Sequence, residues 1–159
     1  MELSTRRVQM AGITPHPTDA FMQQCARQLT DPFDGFLLDK RYLIHDRDEK
    51  FMHGFDRILR ASGVEPVVLP PRSPDLNAHC ERFVRSIREE ALNQLIVIGE
   101  GSLRYVIRSY LIHYHHERNH QGFGNQLIVP ESAIENQSGL VVRRERLGGL
   151  LSYYHREAA

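Results

Sequence analysis

The sequence predicts an α/β protein built around one buried core. Three observations carry that expectation: a strand, helix, strand succession between residues 42 and 69, two later stretches with apolar residues at helical spacing, and a size suited to one domain. At 159 residues the chain can bury one good core and is too short for two ordinary domains. With 41% hydrophobic and 25% charged residues and no low-complexity run, a disordered chain is excluded. No apolar stretch is long enough to span a bilayer, and Met1–Arg6 lacks the apolar region of a signal peptide, so no membrane partner and a cytoplasmic location are expected.

Taken in order, residues Arg6 to Thr14 alternate as a strand, with Val8, Met10 and Ile13 on apolar sides and Gly12 allowing a bend. Pro15 and Pro17 end it. Thr18 suits a helix N-cap, followed by the stripe Phe21, Met22, Cys25, Ala26 and Leu29, which Asp31-Pro32 stops. Tyr42 to Ile44 reads as a short buried strand with Asp46 at its carboxyl end. Phe51 to Ser62 carries Phe51, Phe55, Ile58 and Leu59 at helical spacing and ends at Gly63. Val64 to Leu69 is the second strand, cut off by Pro70-Pro71. This order describes a βαβ unit with parallel strands and a right-handed crossover, in which functional groups gather beyond the carboxyl ends of the strands.

Ser73 to Leu92 is an extended approach followed by an amphipathic helix. Cys80, Phe83, Val84, Ile87 and Ala91 mark its buried face, while Glu81, Arg85 and Arg88 share another. Gly99 to Gly101 is expected to break the chain and Ser102 to cap a second long helix, buried through Leu103, Val106, Ile107, Tyr110, Leu111 and Tyr114. That helix dissolves between His113 and Gly122. Beyond Pro130 the chain reads as peripheral, with a short strand and turn at 141–149 and a tail of undefined order.

Charge and cysteine content narrow the chemistry. Twenty basic and twenty acidic residues cancel, so their distribution must decide whether a polyanion is a partner. Lys40 and Lys50 are the only lysines; the remaining cations are arginines, which suit bidentate contact with carboxylate or phosphate. Cys25 and Cys80 both sit on apolar helical faces, which favours core packing over a disulfide or a zinc site. Among His113, His115, His116 and His120 the spacing fits no standard zinc finger, and packing or helix C-terminal dipole stabilisation is the simpler role for His115 and His116.

Asp46 and Glu81 are separated by 34 residues, one after a strand and the other near the start of a helix. Two such carboxylates can meet around a hard divalent cation, which requires oxygen ligands. Simpler readings stand beside this one. Glu81 with Arg85 is an ordinary i, i+4 pair, Asp46 a turn former, Asp48 and Asp75 loop or capping residues. Arg104, Arg108 and Arg118 either contact a polyanion or solvate a helix face.

The blocks His45-Asp46-Arg-Asp-Glu-Lys-Phe51 and Ser73-Pro-Asp-Leu-Asn77-Ala-His-Cys-Glu81-Arg-Phe83 resemble the second and third acidic blocks of the DDE integrase core, shared by insertion-sequence transposases and retroviral integrases. Tyr114-His-His-Glu-Arg118-Asn-His120 is similar to that group's helix ending after the catalytic helix. Coverage runs from about residue 2 to 130. The resemblance implies a ribonuclease H-like fold, a mixed central sheet flanked by helices, lacking most of the first strand. It divides the chain into an N-terminally truncated catalytic core, 1–130, and a peripheral extension, 131–159.

The family's first acid lies in a block of the form Asp-x-x-Thr/Ser-Arg, matched here by Glu2-Leu-Ser-Thr5-Arg6, with glutamate for aspartate and only Met1 before it. The resemblance further implies Asp46, Glu81 and Glu2 as Mg²⁺ or Mn²⁺ ligands, Asn77, Arg85 and Arg88 as DNA contacts, and a homo-oligomer acting on element ends and target DNA. Its activity would be DNA-end hydrolysis followed by strand transfer. The alternative is a catalytically silent remnant that keeps DNA-binding or self-association surfaces.

Overall fold

In a computed structural model, residues 1–48, 50–51, 53–71, 74–130 and 139–157 are described. The chain forms two compact units, Gln9–Ala78 and a second made of Met1–Val8 with His79–Ala159. Each has its own apolar cluster, so the single core expected from the length is in fact two. The reason is local sufficiency: each set of amphipathic elements closes on itself.

In the first unit, helix α1 (Asp19–Leu29) begins at Thr18, whose hydroxyl accepts the Phe21 N–H at 3.3 Å. Strand β1 (Tyr42–His45), helix α2 (His53–Ala61) and strand β2 (Glu65–Val68) follow in the expected βαβ order, but β1 is not the buried strand expected, since Tyr42 and Ile44 are exposed. β1 and β2 pair in parallel, Tyr42 opposite Glu65 and His45 opposite Val68. Gly63, at φ +81°, turns the chain from α2 into β2, a conformation that penalises any side chain with a Cβ. Met22, Ala26, Leu37, Phe55, Leu59 and Val64 form the core. Leu59 is fully buried, which contributes about 1.5–3 kcal/mol relative to exposure.

Arg6 to Thr14 is not a strand. A strand requires a ladder, and the N-terminal backbone closes on itself instead: the Glu2 N–H donates to the Arg7 carbonyl at 2.8 Å and the Arg6 N–H to the Glu2 carbonyl at 2.9 Å. Gly12 serves close approach: a Cβ there would lie 2.6 Å from Phe21 Cζ.

In the second unit, helix α3 (Ala78–Glu90) packs with helix α4 (Gly99–His116) through Ile87, Ala91, Val106, Tyr110 and Tyr114. α4 starts three residues before the expected cap at Ser102, because Gly99–Gly101 form its first turn rather than a break. Strands β3 (Val141–Arg146) and β4 (Leu151–Arg156) make an antiparallel hairpin whose Leu151 enters this same cluster. The described sheets are therefore two pairs, one parallel and one antiparallel. Among the described residues no helix is long and apolar enough to cross a membrane.

Candidate functional site

Asp46 follows the last residue of β1. Its backbone is fixed by a residue to which the sequence reading assigns no role of its own: His45, 7% exposed, donates from Nδ1 to the Asp46 carbonyl at 2.7 Å. The imidazole lies against Phe51 and Phe55, with Nε2 3.3 Å from Asp56 Oδ1. A buried ring at a strand end, with a carboxylate one helix away, is the signal that could have found it. Arg47 donates from Nε to the Leu69 carbonyl at 3.0 Å and so ties the ends of the two parallel strands. Asp46 itself is exposed, and its Oδ1 accepts the Asp48 N–H at 3.2 Å, the turn expected of an aspartate here. Lys50 pairs with Asp48 at 2.7 Å, and this hydrogen bond holds the Asp48 carboxyl below its ordinary range.

Glu81 lies in the first turn of α3 on its solvent side. Arg85 and Arg88 are exposed on the same side, four and seven residues on. Among the described residues none of the three forms an ion pair or a hydrogen bond with another side chain, so the expected i, i+4 pair between Glu81 and Arg85 is absent. The face therefore presents a carboxylate and two guanidiniums with open hydrogen-bonding capacity. Asn77 closes the 3₁₀ turn Pro74–Asn77 that leads into α3, and is half-buried. Ser73 and the side chain of Asp75 lie outside the described residues.

Glu2 sits in the N-terminal turn, its carboxylate accepting from Thr5 Oγ1 at 2.6 Å and from Ser4 Oγ at 3.2 Å. Arg6 donates from Nη2 to His79 Nε2 at 2.9 Å and so brings this turn beside the first turn of α3. Asp46 belongs to the other compact unit. Among the described residues no group of three or more His, Cys, Asp or Glu side chains is arranged to hold a metal ion.

The opposite side of α3 is saturated. Glu90 accepts from Tyr110 Oη at 3.0 Å and from Arg118 Nη2 at 2.7 Å. Burial, together with the Glu90 carboxylate, pushes the Tyr110 hydroxyl well above its usual range, so it remains a donor. Tyr114 meets Phe83 of α3 edge to face at 4.9 Å. His120 closes back on Tyr114, ring to ring at 4.6 Å and Nε2 to the Tyr114 carbonyl at 2.7 Å.

His115 and His113 are also structural. His115 Nε2 accepts the Val8 N–H at 2.9 Å. Burial, then the nearby charges of His116 and Arg7, push His115 down to about 4, so it is neutral near pH 7 and the expected dipole role does not apply to it. His113 Nδ1 lies 3.2 Å from Glu117 Oε2. Glu117 also takes a two-pronged contact from Arg146 of the hairpin, Nε to Oε2 at 2.8 Å and Nη2 to Oε1 at 2.6 Å. Burial works to raise this carboxyl, and the bonds from Arg146 and His113 outweigh it, leaving Glu117 below its ordinary value.

The family described as "Integrase core domain" matches residues 62–127, a segment holding Asn77, Glu81, Arg85, Arg88 and the Tyr114 to His120 block, but neither Asp46 nor Glu2. No curated protein matches the chain. Among solved structures, the catalytic core domain of BIV integrase is similar in fold, with a TM-score of 0.53 and 16% identity over 79% of this chain and 76% of that one. Residues 62–127 are thus similar to an integrase core domain, and the fold is similar to the ribonuclease H-like fold of a retroviral integrase catalytic core.

Proposed function

We propose that the chain acts in DNA transposition or integration, by metal-dependent hydrolysis at a DNA end followed by attack of the freed 3′-hydroxyl on target DNA. The observation that carries this reading is the outward face of α3, where Glu81, Arg85 and Arg88 stand exposed and unpaired among the described residues. Exposed charges on a surface helix are often unpaired, and what marks these three is that helical phase sets them along one side. Three left open along one stripe suit a partner from outside the chain.

Asp46, Glu81 and Glu2 are the residues that would hold Mg²⁺ or Mn²⁺. The donor set fits in part. Asp46 and Glu81 offer exposed carboxylate oxygens on fixed elements, whereas both Glu2 oxygens already accept hydroxyl hydrogen bonds. When bound, such ions supply charge stabilisation to the attacking and leaving oxygens of a phosphodiester. The chain's own contribution is placement: His45 fixes the backbone of Asp46, and α3 aligns Glu81 with Arg85 and Arg88 so that phosphates along the stripe meet guanidiniums. Asn77 joins this stripe from the preceding turn. Joining two DNA ends calls for at least two copies of the chain.

The engagement of Glu2 favours one second reading, a remnant that binds DNA without cutting it. Incubation of the purified chain with labelled duplex DNA and Mg²⁺ or Mn²⁺ separates the two. Strand cleavage or joining is expected in the wild type, with a loss of at least about 100-fold in Asp46→Asn and in Glu81→Gln. Unchanged activity in either variant overturns the metal assignment. DNA binding without cleavage in the wild type supports the remnant.

A further inference from the structure

The Tyr114 to His120 block is matched by the family, and among its hydrogen bonds are those to Glu90, Val8, Arg146 and its own backbone. Its Arg118 could contact phosphate, as an arginine in a nucleic-acid protein often does. The geometry points to a different role. We propose that Arg118, with Tyr110 and Glu90, is a rotational lock on α3 that aims Glu81, Arg85 and Arg88 outward, making Arg118 a positioning residue and not a DNA contact. This deepens the DNA-processing reading and rests on it for the chemistry it serves.

The argument is one of helical phase. Glu90 lies nine residues beyond Glu81, about two and a half turns at roughly 3.6 residues per turn, so the two side chains leave α3 on opposite sides. On the same count Arg85 and Arg88 stand about 140° and 200° from Glu90. Pinning Glu90 therefore turns all three charged residues away from α4.

The pin has two prongs on one carboxylate: Tyr110 Oη reaches Oε2 at 3.0 Å and Arg118 Nη2 reaches Oε1 at 2.7 Å. With both oxygens held from different points, the carboxylate cannot swing about either bond. Apolar packing alone is a weaker constraint, since Val84, expected on the buried face, is 38% exposed and, among the described residues of α3, Ile87 alone is buried. Arg118 is itself placed by the block around it: its backbone N–H donates to the His113 carbonyl at 2.8 Å, and its guanidinium lies 6.0 Å from the Tyr114 ring, which His120 braces.

Removing Glu90 would strand the buried Tyr110 hydroxyl and could unfold the unit, so the test uses Arg118→Gln and Arg118→Lys, which leave the Tyr110–Glu90 bond in place. Three quantities are measured on the full chain: amide hydrogen exchange across residues 78–90, the salt dependence of binding to a labelled DNA duplex, and turnover against KM in the cleavage assay. For Arg118→Gln we expect exchange in α3 to rise at least about tenfold while α1 is unchanged, with an unaltered salt slope, because a residue that touches no phosphate releases no counterion. Turnover should fall about tenfold at constant KM, and Arg118→Lys should recover most of it.

Unchanged exchange in α3 overturns the lock. A salt slope reduced by about one unit, the signature of one lost phosphate contact, overturns the positioning role in favour of DNA contact. If the wild type neither cleaves nor joins DNA, the chemistry reading fails, and the exchange and salt measurements still decide the lock.

Discussion

The helical unit holds two populations of acid and arginine side chains with opposite fates. On the outer side of α3, Glu81, Arg85 and Arg88 are exposed and meet no described counter-charge. Around the end of α4, Glu117 is enclosed by Arg146, His113 and Arg144, and Glu90 by Arg118 and Tyr110. The residue types are the same, yet one group is saturated and the other open. Function is better sought where the bonding capacity is left over, because a satisfied ion pair has little to offer a substrate.

The sharpest way to break this comparison is Glu117→Ala. Its side chain is 1% exposed, and its loss removes the carboxylate that takes both prongs of Arg146. The expected cost is about 3 kcal/mol, seen as a fall in melting temperature of roughly 6–12 °C. A change under about 1 kcal/mol would place Glu117 with the dispensable charges.

A second effect is expected from pH. Burial and then neighbouring positive charge push folded His115 down to about 4, against about 6.5 in the unfolded chain. As pH falls from about 6.5 to 4 the unfolded chain takes up the proton first, so stability is full above this window and is lost progressively within it. Melting temperature recorded from pH 7 to pH 4 should decline, and His115→Gln, which can still accept the Val8 N–H, should flatten the decline. An equally steep wild-type and variant curve would remove His115 from the account.

The smallest stability effects belong to the open set. Glu81→Gln, Arg85→Ala and Arg88→Ala should each change stability by under about 0.5 kcal/mol in denaturant titrations, as surface substitutions do. A large loss in any of them would reveal a structural partnership and dissolve the contrast.

How much of this was legible depended on the range of the interaction. Thr18 capping α1 and the 42–69 βαβ order follow from neighbours in sequence, and both are present in the fold. So is the outward stripe of α3, since residues 81, 85 and 88 are related by helical phase alone. The strand expected over Arg6 to Thr14 depended on a ladder partner, which local alternation cannot reveal. The start of α4 at Gly99 went against glycine's propensity, in an exposed first turn that carries the Glu100–Arg104 pair. Arg146 and Glu117 are 29 residues apart with no periodic link, so nothing local announces their bond. Arg118 was visible as a cation, but its choice between phosphate and Glu90 is a matter of tertiary placement.

The Arg146 to Glu117 contact also bears on where this protein can be cut. The family match stops at residue 127, which invites a shortened version ending soon after it. Such a version would keep Glu117 and discard the hairpin that neutralises it, along with Leu151 from the core. A carboxylate folded inward for its hairpin partner would then lose both arginine bonds and keep the His113 contact, so the smallest piece worth expressing for biochemistry extends through β4.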